Sequence, residues 1–130
     1  MERELTPLER GILDFMLDDP ALPAGDALRA QVPHLRVVDG TPAMPTYLHL
    51  GVTPGTPQAD CPDGRVPIDA VVESPSGETT GFVLVWTEGG YLSTIEHAWV
   101  TDEMPQEFPS PDRLRRWDPE SNRIWDPRST

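Results

Sequence analysis

The chain of 130 residues has no lysine; its ten basic residues are all arginine, against 22 aspartates and glutamates, for a net charge of −12. So small a basic complement excludes general nucleic-acid binding, which draws its affinity from many Lys and Arg contacts to phosphate. There is a single cysteine, Cys61. One thiol makes neither an internal disulfide nor a cysteine-based zinc site. No apolar run approaches the roughly 18 residues that span a bilayer. The charged opening MERELTPLER has no apolar signal core, so a cytoplasmic protein with no membrane partner is expected. What the chain has in abundance is turn-forming residues, sixteen Pro and ten Gly, about a fifth of its positions. The length fits one domain. A chain of this size can bury roughly two-thirds of its unfolded surface without staples.

Thr6-Pro7-Leu8-Glu9 is a capping box with proline at the first helical position. Leu8, Ile12, Phe15 and Met16 follow at helical spacing, widened by Leu13 and Leu17. Pro20 disfavours helical geometry at Asp19, so a first helix is predicted over residues 7–18. A shorter second helix is expected through Ala27–Gln31 and closed by Pro33, with Leu28 and Val32 facing inward. It must lean on the body, because two turns are marginal alone.

From Leu35 the period changes to two. Strands are predicted at 35–38, 46–52, 68–73, 79–87 and 91–100, with a breaker-rich loop at 39–45 and a Pro-rich loop at 53–67 that holds Cys61. In the fourth strand Phe82, Leu84 and Trp86 share one face and Val83 and Val85 the other, the pattern of a central strand. In the fifth, Tyr91, Ser93, Ile95, His97 and Trp99 share one face and Leu92, Thr94, Glu96 and Ala98 the other. The short turns at Ser74–Gly77 and Glu88–Gly90 imply an antiparallel meander. The fold expected is α+β: two N-terminal helices on one face of an antiparallel sheet of about five strands, spanning residues 1–111.

Residues 112–130 are set apart as a C-terminal tail. They hold five Arg against four acids, net +1 beside a body of −13, and they repeat Trp-Asp-Pro at Trp117 and Trp125. Three readings stand open: the tail lies on the acidic body with an indole in a groove, it engages another chain, or it is disordered.

The succession Leu5–Glu9, Asp26–Val32, Arg36–Val38, Val66–Ala70, Gly81–Val85, Gly89–Glu96 and Phe108–Pro111 resembles a family of small uncharacterised α+β proteins from high-GC bacteria. These carry a "DGYLS-x-LE" hairpin segment and a "P-x-P" segment near their end. The resemblance covers about residues 5–114; its most specific piece is Gly90-Tyr91-Leu92-Ser93 with Glu96. It implies the fold and a cytoplasmic location, and brings no assigned activity. Where family members often have a Cys-rich stretch, this chain has Asp39–Pro45.

Few residues suggest chemistry. His34, His49 and His97 lack metal-ligand spacing, so no metal and no cofactor are expected. His49 and His97 lie mid-strand and are expected to be neighbours if their strands pair. With Glu96 they form a candidate small-molecule or hydrolytic site, although Glu96 and His97 are adjacent in one strand and point to opposite faces. Cys61 has no helix N-terminus or basic cluster to activate it, and no catalytic residue is assigned. The aromatics Trp86, Tyr91 and Trp99, with Trp117 and Trp125 of the tail, are the candidate binding residues, as core or as a partner surface. Aromatics among carboxylates suit a basic protein partner, met as an inhibitor or immunity protein meets its target. Self-association through the tail is the other partner expectation.

Overall fold

The computed structural model describes residues 2–38, 46–118 and 120–128; the predicted loop at 39–45 lies outside them. Helix α1 runs Pro7–Leu17. Its capping box forms: Glu9 N–H donates to Thr6 Oγ1 at 3.2 Å, and Thr6 N–H donates to Glu9 Oε1 at 2.8 Å. Arg3 grips the same carboxylate through both terminal nitrogens, at 2.9 and 2.8 Å. Burial pushes the Glu9 carboxyl up, but the Arg3 and Thr6 hydrogen bonds and the Arg3 charge outweigh it, and the net direction is down. Ile12, Leu13, Phe15, Met16 and Leu17 are buried as the stripe requires. Helix α2, Gly25–Gln31, passes into a 3₁₀ turn at Val32–His34, and Leu28 and Val32 face the core.

The strands are β1 Leu35–Val37, β2 Tyr47–Val52, β3 Gly64–Arg65, β4 Ala70–Glu73, β5 Thr79–Glu88, β6 Tyr91–Trp99, β7 Leu114–Asp118 and β8 Arg123–Trp125. They form one antiparallel sheet in the order β1-β2-β6-β5-β4-β7-β8, with β3 paired to β5. β4, β5 and β6 are the expected meander. Among the described residues the sheet has eight strands rather than about five. The three additional ones are two to five residues long, too short for an alternating pattern to stand out.

One face of the sheet packs on both helices. Across the strands, Leu48, Ile95 and Val85 form one row; His97, Val83, Ala70 and Arg116 form the next. All seven are buried. The turn between β5 and β6 is a two-residue hairpin with positive φ at Gly89 (62°) and Gly90 (81°), the geometry that glycine accepts most cheaply. Just past it the alternation expected for β6 fails. Thr87 pairs with Leu92 while Trp86 pairs with Thr94, so Ser93 is a bulge residue. The bulge turns Leu92 to the core face, where it is 1% exposed, not to the face of Thr94 and Glu96. Gln31, fully buried on α2, closes the gap: its Oε1 accepts from Leu92 N–H at 3.0 Å and its Nε2 donates to the Gly90 carbonyl at 2.8 Å.

The segment set apart as a tail is drawn into the sheet. β7 pairs with β4, placing Leu114 opposite Val72 and Arg116 opposite Ala70, and β8 pairs with β7. Arg116 is 7% exposed, and its Nη2 donates to the Phe15 carbonyl at 2.5 Å. It thereby supplies a cation to the C-terminal end of α1, whose last turn has no basic residue. The guanidinium carbons of Arg116 and Arg128 lie 4.4 and 4.7 Å from the centre of the Phe15 ring. Arg128 also donates to the carbonyls of Pro111 (2.8 Å) and Leu114 (2.7 Å) and pairs with Asp126 at 2.9 Å. The boundary drawn at residue 111 therefore falls just before a strand of the same sheet.

Candidate functional site

The face of the sheet away from the helices carries the candidate site. It is assembled by the β5–β6 hairpin and by β2, a strand distant in sequence that pairs with β6. Tyr47, Glu96 and Leu84 form one row across these strands, and His49, Thr94, Trp86 and Arg65 the next. A hollow of about 450 Å³ opens there, lined by Tyr47, His49, Trp86, Glu96, Asp63 and Glu88 among others. The rings of Tyr47 and His49 stack, with centroids 6.4 Å apart and planes at 14°.

Glu96 is the polar centre of this hollow. Trp86 Nε1–H donates to its Oε1 at 3.1 Å, a diagonal contact between β5 and β6. The same carboxylate lies against the Tyr47 hydroxyl; that hydrogen bond and the carboxylate charge push the phenol above its ordinary range. Asp63 accepts from the Gly89 N–H at 2.8 Å and so is fixed to the hairpin turn at the rim. Three carboxylates, Glu96, Asp63 and Glu88, thus line the hollow along with the rings of Tyr47 and Trp86, and none of its described lining residues is an arginine.

The sequence-derived candidates separate. Trp86, His49 and Glu96 come together. His97 does not join them: it lies on the helix side of the sheet, opposite Val83, while His49 lies opposite Thr94 on the open side. Pairing of β2 with β6 is real, but the register puts the two histidines on opposite faces. Tyr91 turns to the loop before β3, its hydroxyl donating to the Thr56 carbonyl at 3.0 Å. Trp99 stands opposite Gly81 at the far end of β6. Trp117 and Trp125 line a different cleft of about 710 Å³, together with Asp19, Asp69, Arg116, Asp118 and Arg123. Tyr47 and Asp63 were not foreseen. Tyr47 was visible as the polar-face partner of His49, whereas Asp63 sits in a loop whose path no periodicity reveals. Among the described residues, no group of three or more His, Cys, Asp or Glu is arranged to hold a metal ion, and no helix is long and apolar enough to cross a membrane.

His97 is buried with both ring nitrogens unpartnered. Its ring packs 6.4 Å from that of Phe108. Desolvation pushes its pKa down. The unfolded chain therefore takes up this proton first, from about pH 6.5 downward. Stability contributed by neutral His97 is complete above that pH and is lost as pH falls toward the depressed folded value. The carboxyls of Glu9 and Asp126, both lowered, act in a separate window below about pH 4.5. The thermal midpoint is expected to fall between pH 7 and pH 5.5, and His97→Leu should flatten that fall. A slope equal in both proteins would show that another group governs it.

Compared with protein-family models, with curated proteins and with solved structures, the chain matches none.

Proposed function

We propose that the chain is a non-catalytic binding domain whose open sheet face receives an arginine- or lysine-bearing segment of a basic protein partner, in the manner of an inhibitor or immunity protein. The observation that carries this reading is the hollow around Glu96. A guanidinium seated there meets a carboxylate already oriented by Trp86, with the indole and phenol faces beside it. Asp63 and Glu88 extend the negative rim. The net charge of −12 draws a cationic partner toward the surface before contact. His97 lies across the sheet from His49 and Glu96, which leaves the hydrolytic alternative with one histidine in the hollow.

The test is calorimetric titration with a peptide of alternating arginine and glycine, with the indole resonance of Trp86 followed in the wild type. Its counterpart with glutamate in place of arginine serves as the control. Trp86→Ala should weaken binding about tenfold or more, the scale of a buried aromatic anchor. Glu96→Gln should weaken it while leaving the fold intact. Equal affinity of wild type and both variants would mean that the peptide senses net charge alone and that the hollow is not the site.

A further inference from the structure

The two edges of the sheet are treated differently. The outer edge of β1 is covered: Arg3 and Val37 exchange both backbone hydrogen bonds, at 3.0 and 2.8 Å. The outer edge of β8 has no strand beside it among the described residues. All three residues of β8 are exposed. Six large apolar side chains are exposed among the described residues, and three of them, Trp117, Ile124 and Trp125, belong to the β7–β8 hairpin. An edge of this kind is a template for another strand.

We propose that the occupant is β8 of a second copy of this chain, paired antiparallel about a twofold axis at Ile124. Two features of the chain favour a copy of itself. The first is charge. Residues 112–130 carry net +1 and the remainder −13, so this hairpin is where two otherwise repelling molecules approach most cheaply. The second is self-complementarity. In a twofold contact residue i meets j and j meets i. Pairing about Ile124 sets Ile124 against Ile124 and each Arg123 across from the Trp125 of the other copy, a cation facing an indole twice over. The three-residue strand and Pro127 just beyond it keep the ladder short. The side chains must therefore supply most of the attraction, and the dimer is weak and concentration-dependent. This contact uses the sheet edge and leaves the hollow around Glu96 open.

Sedimentation velocity on the full chain, from micromolar to millimolar concentration, should show monomer passing into dimer. Ile124→Arg should raise the midpoint concentration at least tenfold, because it sets two guanidinium groups against each other. In a Cys61→Ser background, Ile124→Cys should cross-link to a homodimer under mild oxidation. Arg123→Cys alone should not cross-link, but mixed with Trp125→Cys it should. A monomer at every concentration with no cross-link overturns the proposal. So does a dimer that survives Ile124→Arg, or Arg123→Cys cross-linking as readily as Ile124→Cys.

Discussion

Replacing Phe15 with alanine is expected to destabilise the fold by about 3–5 kcal/mol, the range for removing a buried phenyl ring. Phe15 is 6% exposed and belongs to the apolar core that α1 shares with the sheet. Its ring also carries the guanidinium groups of Arg116 and Arg128. Deleting it leaves a cavity and removes the surface against which a buried charge is packed. Among the described residues Arg116 has no carboxylate partner within salt-bridge distance; it is held by the carbonyls of Phe15 and Asp18 and by the ring. Burial already pushes its pKa down, with Asp19 and Asp18 opposing from the helix end. The loss should therefore exceed that of Phe15→Leu, which keeps most of the volume but not the π face. Chemical denaturation of the two variants checks this. A loss below about 1 kcal/mol for Phe15→Ala would mean that the helix does not pack on the sheet through this face.

What could be read in advance follows from how local each signal is. The capping box of α1 is set by residues three apart, and it forms as read. The stripe from Leu8 to Met16 and the alternation of β5 are one-dimensional patterns with strong periods, and both the helix and the central strand lie where expected. The bulge at Ser93 has no such signature. It depends on Gln31, about sixty positions earlier, offering its carbonyl to Leu92 N–H. Without that partner the simple alternation was the natural reading, and it put Leu92 on the wrong face. The same limit hid the site. Trp86 and Glu96 share a hairpin, so their nearness follows from a turn of two glycines. Tyr47 and His49 reach them only because β2 inserts beside β6 rather than beside β4, a choice of topology that composition does not encode. The tail misled for a further reason. In Leu114-Arg115-Arg116-Trp117-Asp118 the inward position is an arginine, and a buried Arg116 reverses the usual rule that charge marks the outer face.

Truncation after Leu114 should lower the thermal midpoint by about 10 °C or more, well beyond what a loosely lying tail would cause. The cut removes most of β7 and all of β8, so the backbone of Ala70 and Val71 loses its partners Arg116 and Arg115. It removes the guanidinium that caps the end of α1 and both cations over Phe15. It also deletes the pairs that fasten the hairpin, Arg115 with Glu73 at 3.4 Å and Arg128 with Asp126 at 2.9 Å. Those pairs are partly exposed and contribute at most about 1 kcal/mol each. The larger loss comes from the uncovered edge of β4 and from the face of the Phe15 ring that Arg116 and Arg128 now cover. Arg116→Ala and Arg128→Ala, measured beside the truncation, divide these contributions. The first should recover a large share of the loss, because Arg116 is buried, and the second a smaller one. Measurements at dilute, monomeric concentration keep the edge-to-edge contact of two copies from entering the comparison. A truncated chain that melts within about 2 °C of the full one would show β7 and β8 to be an appendage that the rest of the sheet does not need.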